Sequence, residues 1–240
     1  MNQVFDSNRR HVTMFAKAPV AGKVKTRLAA SIGYEHAANL HGAFLSDLGQ
    51  TLEQLTREDS STTVSLSLSG DAEHPTFVSL REARGLAFRD QGEGDLGARL
   101  SLTVKEALED GVEQLLIIGS DSPTLATRHF HSAFEALEQG ADIVLGPSFD
   151  GGYYLIGMSG FYPRVFEEID WSTPRVLHQT LERAREVELN VELLEFWYDV
   201  DELEDLLLLR THLLQHLACA HGEQYSDTRT MIEKLESILD

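Results

Sequence analysis

Short apolar runs alternate along the chain with longer stretches in which apolar residues recur at helical spacing. The apolar runs predict short strands, and the run at 62–68 alternates apolar with polar residues as a half-buried strand does. The predicted strands are 11–16, 62–68, 86–88, 114–118, 142–145, 152–158 and 191–197. The predicted helices are 34–55, 75–84, 96–108, 126–138, 174–185, 202–217 and 228–239.

Strands that alternate with helices predict an α/β fold with a mainly parallel sheet and helices on both faces. Because the sequence has no internal repeat and no linker-like segment, we expect one domain over 1–240, with a core at about 11–210 and a C-terminal helical segment at 211–240. Ligands of open α/β sheets bind beyond the carboxyl ends of strands. Polar clusters follow several predicted strands, so we expect these clusters to form one site.

The formal net charge of −19 and the pI of about 4.8 narrow the set of partners. Repulsion from so acidic a chain argues against nucleic acid and anionic membrane surfaces, and the apolar runs are too short to span a bilayer. Cys219 is the single cysteine, so an internal disulfide is excluded, and residues 1–10 lack the apolar stretch of a signal peptide. These features predict a cytoplasmic protein without a membrane span.

A cationic loop is predicted at 17–27, where KAPVAGKVKTR carries four cations and no acid. The loop follows a predicted strand and precedes a helix, and backbone amides at a helix start together with cations suit phosphate groups. Its spacing differs from that of a Walker A motif, and a solvated basic turn is the alternative. The candidate phosphate-binding residues are Lys17, Gly22, Lys23, Lys25 and Arg27.

Four aspartates at the ends of predicted strands are candidates for catalysis or metal binding. Asp121 follows the most apolar strand, and Asp199 and Asp201 precede a helix. Each of these three is a candidate ligand of Mg²⁺ or Mn²⁺, with helix capping as the alternative. Asp150 stands in the segment DGGYY, where it either forms an Asx turn or serves as a general base that orients an acceptor.

Two further segments combine helix signals with candidate binding residues. The glycine-rich segment QGEGDLGAR opens a helix with Asp95 as its predicted N-cap, and Gln91 and Gly94 are candidates for contact with a nucleobase. The segment WSTP predicts a helix start capped by Thr173, with Trp171 as a candidate wall of an acceptor pocket. In both segments, local structure alone is the alternative interpretation.

Six motifs occur in a fixed order: KAPVAGKVKTRL, QGEGDLGARL, GSDSPTL, DGGYYLIG, WSTP and DVDELEDL. With this set the chain resembles, over about 11–210, a family of small bacterial GT-A-like transferases, which are uncharacterised glycosyltransferases of the nucleotide-diphospho-sugar transferase superfamily. The first and last motifs are more distantly similar to those of molybdopterin-guanine and phospholactate nucleotidyltransferases.

The resemblance implies a GT-A fold, a nucleotide or nucleotide-sugar ligand, and Mg²⁺ or Mn²⁺. It also implies that the cations of the first motif hold phosphates, that Gln91 and Gly94 face the base, and that Asp121 binds the metal together with Asp199 or Asp201. A typical GT-A glycosyltransferase has a DXD metal motif, whereas the matching position here reads DSP, with the single carboxylate of Asp121.

The motifs and the family resemblance leave three functions open. The family resemblance points to metal-dependent glycosyl transfer from a nucleotide sugar. The separated carboxylates, and four cations that suit a triphosphate, favour nucleotidyl transfer to a phosphorylated acceptor with release of pyrophosphate. A catalytically silent nucleotide-binding module is the third. For either enzyme the predicted catalytic residues are Asp121, Asp150 and Lys25, and the C-terminal helices pack either on the core or in a homodimer.

Overall fold

The computed structural model describes residues 10–218 and 225–239. Cys219 and the residues before Arg10, on which the predictions about a disulfide and a signal peptide depend, lie outside the described residues. In the described ranges, no helix combines the length and the apolar character needed to cross a membrane.

A seven-stranded sheet forms the centre of the described part of the chain. Its strands are β1 (Arg10–Lys17), β2 (Thr62–Ser69), β3 (Ala87–Asp90), β4 (Gln114–Ile118), β5 (Ile143–Pro147), β6 (Tyr153–Met158) and β7 (Val191–Leu193). The order across the sheet is β3–β2–β1–β4–β6–β5–β7, and neighbouring strands are parallel except where β6 pairs with β4 and β5. The predicted mainly parallel sheet is confirmed.

Helices cover both faces of this sheet, as the alternating pattern predicted. They are α1 (Thr26–Ile32), α2 (Tyr34–Glu58), α3 (Pro75–Arg84), α4 (Leu96–Glu109), α5 (Thr127–Glu138), α6 (Val176–Glu186), α7 (Leu203–Ala218), α8 (Ser226–Glu233) and α9 (Glu236–Leu239), with a 3-10 turn at Pro163–Phe166. On one face, α2, α3 and α5 bury side chains such as Leu48, Phe77 and Phe130. On the other face, α4 and the 3-10 turn bury Val104 and Phe166.

A third apolar cluster joins the helices beside the sheet. Leu28 of α1 and Phe44 of α2 are buried there with Leu206 of α7 and Ile232 of α8. This cluster fixes the start of α1, and with it the cationic loop, against the C-terminal helices. The apolar faces of α7 and α8 therefore pack on the core of the same chain, while a homodimer stays a prediction.

Two predicted elements differ from the observed ones by more than a shift of their ends. The strand predicted at 191–197 ends at Leu193, and the chain then continues beside β5 through single backbone bonds, such as that from Trp197 N to the Pro147 carbonyl oxygen (3.0 Å). It leaves the sheet because Val200 N donates instead to the carbonyl oxygen of Asp121 (2.9 Å). The helix predicted at 228–239 is divided into α8 and α9, and Leu235 between them is fully buried in the third cluster.

Candidate active site

A cavity of about 680 Å³ opens at the carboxyl ends of β1, β4 and β5. The loops after β4 and β5, the start of α1 and the segment before α7 contribute to its wall. One cation and four carboxylates that the sequence singled out line the cavity together: Arg27, Asp121, Asp150, Asp199 and Asp201. The expectation that polar clusters after separate strands converge is therefore confirmed by the geometry.

Lys25 lies at the centre of this group, and its side chain is only 2% exposed. Its backbone is left-handed (φ 48°), and the residue immediately precedes α1. The ammonium contacts Asp121 Oδ1 and donates to Asp201 Oδ1 at 3.1 Å, and it lies 5.6 Å from the centre of the Phe44 ring. Burial alone would lower the pKa of Lys25, but Asp121 and Asp201 outweigh burial and raise it, so the ammonium stays charged.

Arg27 follows Lys25 in the chain and shares one of its carboxylate partners. Its guanidinium contacts Asp201 Oδ2 at 2.5 Å and Glu202 Oε1 at 3.1 Å. The side chain is nevertheless 62% exposed, and it lines the cavity. Arg27 therefore keeps donors available to an incoming anion, whereas the contacts of Lys25 are with the protein.

Asp121 presents a half-exposed carboxylate to the cavity, with 47% of its side chain accessible. Burial pushes the pKa of Asp121 upwards, but the neighbouring Lys25 ammonium outweighs this and holds the pKa below its usual value. The carbonyl oxygen of Asp121 accepts the bond from Val200 N, which brings Asp199 and Asp201 to the end of β4. This backbone contact assembles the carboxylates from the two distant segments.

Asp199 and Asp150 line the cavity without an ion pair to Lys25 or Arg27. Burial, followed by repulsion from Asp150, Asp201 and Asp121, raises the pKa of Asp199 to about 7. No ion pair joins Asp199 to another residue of the described ranges. Asp150 Oδ1 accepts from Gly152 N at 2.8 Å and from the Ser148 hydroxyl, so the predicted Asx turn is confirmed. Its carboxylate also faces the cavity, so both readings of Asp150 are compatible with its position.

The alternative that Asp199 and Asp201 cap the following helix finds no support. Asp205 Oδ2 instead accepts from Asp201 N (3.0 Å) and Glu202 N (2.9 Å), the two amides that directly precede α7. The helix α5 that follows Asp121 begins after Ala126, and its amides are not bonded to Asp121. These carboxylates are therefore directed at cations and at the cavity.

The carboxylates suit a hard divalent cation by their chemistry. Oxygen ligands are those that Mg²⁺ and Mn²⁺ prefer, and Mg²⁺ commonly takes one or two carboxylates and completes its shell with water and substrate phosphate. A cation would also relieve the repulsion that raises the pKa of Asp199. Within the described residues, no three or more His, Cys, Asp or Glu side chains form a ready-made metal cage. Metal binding stays a prediction.

Several predicted nucleotide-binding residues lie outside the cavity wall. Lys17, Gly22 and Lys23 are exposed on the cationic loop. Gln91 is buried, and its amide donates to the carbonyl oxygen of Ser67 (2.8 Å), so that amide braces the ends of the strands. Gly94 adopts a positive φ of 99° beside the confirmed N-cap at Asp95, whose Oδ1 accepts from Ala98 N at 2.8 Å. Contact of these residues with nucleotide stays a prediction.

Apolar residues of the cavity wall were missed by sequence reasoning, because apolar side chains on short strands are typical of a core. Phe15, Ile117 and Ile156 are of this kind. Trp171 was singled out as a candidate wall residue, and it does line the cavity. Thr173 does not cap α6 as expected: the helix begins two residues later than predicted, and the Thr173 hydroxyl accepts from Arg175 N at 3.3 Å.

Residues 47–173 match a family described as an uncharacterized protein conserved in bacteria, DUF2064. The chain belongs to this family. The matched range includes Asp121 and Asp150 of the DUF2064 protein, while Lys25 and Asp199 lie on either side of it. No curated protein is significantly similar to the chain in sequence.

A solved structure supports the fold along almost the whole DUF2064 chain. A protein from Desulfovibrio desulfuricans G20, provisionally named a nucleotide-diphospho-sugar transferase, is 31% identical, with 97% of each chain covered and a TM-score of 0.83. A cytidylyltransferase from Leptospira borgpetersenii is 14% identical, with 96% of each chain covered and a TM-score of 0.53. The 4-diphosphocytidyl-2C-methyl-D-erythritol synthase of Anaerococcus prevotii is 14% identical, with 89% of this chain and 100% of that chain covered and a TM-score of 0.54. The last two share the fold alone, and the GT-A fold is confirmed.

Proposed function

We propose that this protein is a transferase that uses a nucleotide-activated donor and that the transferred group is a sugar. The observation that carries the proposal is the meeting of Lys25 and Arg27 with Asp121, Asp199 and Asp201 around one cavity. Cations beside carboxylates at the end of a sheet suit a polyphosphate whose charge is shared between side chains and a metal ion. The provisional name of the Desulfovibrio protein points to the same donor class.

In this proposal, the diphosphate of the donor lies against the exposed guanidinium of Arg27. A hydroxyl oxygen of the acceptor attacks the anomeric carbon of the sugar and forms a new C–O bond. The bond from that carbon to the phosphate oxygen breaks, and the nucleoside diphosphate leaves with the electron pair. The hydroxyl proton passes to the carboxylate of Asp150, which the Asx turn holds at the cavity wall.

Asp121 and Asp199 would hold the divalent ion, because Asp201 is already shared by Lys25 and Arg27. When bound, Mg²⁺ or Mn²⁺ would neutralise charge on the departing phosphate. Lys25 holds Asp121 and Asp201 in fixed orientation and lowers the pKa of the Asp121 carboxyl. Lys25 is therefore a positioning residue in this proposal, and Arg27 is the phosphate-binding group.

Nucleotidyl transfer is the second candidate, and the separation of the metal-binding carboxylates in the chain favours it. In that reaction a phosphate oxygen of the acceptor attacks the α-phosphorus of a nucleoside triphosphate, and pyrophosphate leaves. The cationic loop supports nucleotidyl transfer less strongly than the sequence indicated. Lys17 and Lys23 are exposed outside the cavity wall, and this leaves Lys25 and Arg27 of the four cations at the carboxylates.

Isothermal titration calorimetry with nucleotide sugars, nucleoside diphosphates and triphosphates, with and without Mg²⁺ or Mn²⁺, tests the proposal. We expect nucleotide sugars to bind at least about tenfold more tightly with metal, since hydrogen bonds to charged groups contribute about 1.5–3 kcal/mol. Asp121→Asn should abolish this gain. Asp71→Asn, which changes an exposed carboxylate outside the cavity wall, is the matched control and should keep it.

The products decide between the candidate functions. Release of nucleoside diphosphate in the presence of an acceptor supports glycosyl transfer, and release of pyrophosphate from a triphosphate replaces it with nucleotidyl transfer. Tight nucleotide binding without turnover of any donor would identify a silent binding module. The absence of binding for every nucleotide, with or without metal, would overturn the proposal.

A further inference from the structure

The cavity continues from the carboxylates into an apolar part that the nucleotide site does not explain. Phe15 of β1, Ile117 of β4 and Ile156 of β6 form its floor. The three strands are neighbours in the sheet, and Ile117 and Ile156 are directly paired across it. Phe15 lies two residues beyond Thr13, the partner of Ile117, so by the alternation of strand side chains it faces the same side.

The roof of this part is made by α4 and by the segment that enters α6. Leu96 and Leu100 come from the first turns of α4, and Trp171 and Val176 come from the segment around the start of α6. With the three floor residues they define what we call the apolar chamber. None of its seven side chains is charged, whereas the carboxylates lie on the loops beyond the strand ends.

Trp171 is held against α4 by the lack of a side chain at Gly97. A Cβ atom added at Gly97 would lie 2.9 Å from Trp171 Nε1 and 2.6 Å from the carbonyl oxygen of Phe166. Such distances are too short for real contacts, so the glycine is what allows the indole to pack there. The indole therefore forms a fixed wall of the apolar chamber.

Hydrogen bonds around Asp170 fix the segment that carries this wall. Gln179 Oε1 accepts from Asp170 N (2.9 Å), and Gln179 Nε2 donates to Asp170 Oδ2 (2.8 Å). The Thr173 hydroxyl donates to the Asp170 carbonyl oxygen at 2.7 Å, and Arg175 pairs with Asp170 Oδ2 at 3.0 Å. These bonds fix the wall of the apolar chamber before any ligand binds. The chamber therefore favours a ligand that fits a preformed space.

We propose that the apolar chamber binds the acceptor and that the acceptor is an amphipathic alcohol, with an apolar ring or chain in the chamber and its hydroxyl at the carboxylates. A sugar or a second phosphate in this space would lose hydrogen bonds to water, and of the seven chamber side chains only Trp171, through its indole N–H, could replace one. This inference deepens the proposed function and depends on it for the reaction. There, the acceptor hydroxyl oxygen bonds to the anomeric carbon, nucleoside diphosphate departs, and the proton goes to Asp150.

The inference is tested by measuring how simple alcohols bind to the full chain. Saturation-transfer NMR in the absence of nucleotide reports this binding. The probes are ethanol, n-butanol, n-hexanol and benzyl alcohol, with glycerol and myo-inositol as polar counterparts. We expect affinity to rise about threefold to fourfold per buried methylene in the linear series, as apolar transfer predicts. The two polyols should bind at least about tenfold more weakly than n-hexanol and benzyl alcohol.

Two variants locate the binding site. Leu96→Glu puts a carboxylate at the chamber rim, in the first turn of α4 where the helix dipole favours it, and should lower n-hexanol affinity about tenfold. Leu102→Glu is its matched control, because Leu102 is on the same helix and similarly exposed (36% against 38%) but does not line the cavity. Trp171→Ala should likewise weaken the binding of benzyl alcohol. Phe161→Ala removes an aromatic side chain outside the cavity wall and should leave this binding unchanged.

Any of three results would overturn the inference. The polyols could bind as tightly as n-hexanol, or affinity could stay constant along the series of linear alcohols. The third result is an alcohol affinity that is unchanged in both Leu96→Glu and Trp171→Ala. Nucleotide binding is measured separately by calorimetry, so the two proposals fail independently. If alcohols bind at the apolar chamber and nucleotides do not bind at all, the proposed function falls while the assignment of the chamber to amphipathic alcohols stands.

Discussion

Lys25 combines two features that are each unfavourable alone. Its φ of 48° is in the left-handed region, where a residue with a Cβ costs about 1 kcal/mol, and its ammonium is buried. Both persist because the left-handed turn directs the ammonium between Asp121 and Asp201. A glycine would relax the backbone and remove the charge. The residue type at this position therefore follows from its electrostatic role and not from backbone preference.

Lys25→Met should lower the free energy of unfolding by about 2 kcal/mol, because two carboxylates lose their shared counterion. This loss is smaller than the about 3–5 kcal/mol typical of a broken buried pair, because the Asp121 side chain is 47% exposed and partly solvated. Urea unfolding followed by circular dichroism measures the change. Lys105→Met, at an exposed position of α4, is the control and should change stability by less than about 0.5 kcal/mol. Equal stability of the Lys25 variant and the wild type would contradict the assigned role.

At the scale of elements, the turn at 148–152 connects the β5–β6 hairpin to the start of α6. Leu177 N donates to the Gly151 carbonyl oxygen at 2.9 Å, so the turn and the helix are held together by backbone. Gly151 has a φ of 89°, and a Cβ atom added there would lie 2.3 Å from the Pro174 carbonyl oxygen. Asp150 takes its position at the cavity from this turn.

Gly151→Ala should destabilise the protein by about 2 kcal/mol or more, because both the positive φ and the contact with Pro174 oppose a side chain. Thermal unfolding checks the loss, and calorimetry with the nucleotide donor should show weaker binding as the turn shifts. Gly42→Ala is the matched control. Gly42 lies inside α2, and a Cβ atom added there would lie 3.7 Å from its nearest neighbour, Thr76 Oγ1, so alanine should be neutral or stabilising. A Gly151 variant as stable as the Gly42 variant would show that the turn tolerates displacement.

The sequence predicts an element correctly when the pattern that marks the element lies within the element itself. The buried strand at 114–118 was found with its predicted limits because an apolar run bounded by polar residues marks it locally. The left-handed backbone of Lys25 and the use of the Gln91 amide inside the protein could not be predicted, because each depends on partners far away in the chain. The apolar chamber was missed for a different reason, because Ile117 and Ile156 have the same local pattern as core residues.

For the whole molecule, the burial of histidines couples folding to pH, and the pKa values of His11 and His41 are lowered furthest. His11 lies in β1 between the hydroxyls of Thr63 (2.7 Å) and Ser65 (2.8 Å). Burial, with a smaller contribution from Arg89, lowers the pKa of His11 to about 3. Burial likewise lowers the pKa of His41 to about 4, despite the nearby Asp121 carboxylate. Both imidazoles are therefore neutral in the folded protein at pH values where the unfolded chain takes up protons.

Stability should fall as pH decreases from about 6.5 to about 4, because His11 and His41 each bind a proton in the unfolded chain that they do not bind in the folded protein. The two histidines together contribute a slope that approaches about 2.7 kcal/mol per pH unit in that window. His11→Gln should reduce the slope by about half of this contribution, measured by urea unfolding at several pH values. His178→Gln, at a position where 73% of the side chain is exposed, is the control. An unchanged slope in the His11 variant would show that His11 takes up a proton in the folded state.

The ion pair between Lys25 and Asp201 joins residues that are 176 positions apart in the sequence. During synthesis from the N-terminus, the cationic loop therefore leaves the ribosome long before its carboxylate partners exist. A nascent chain that extends to Asp121 already carries the ammonium and this first carboxylate, yet Asp199 and Asp201 are still untranslated. The centre is consequently among the last parts of the molecule to be finished, so premature termination upstream of Asp199 yields a chain with most of the sheet and no complete site.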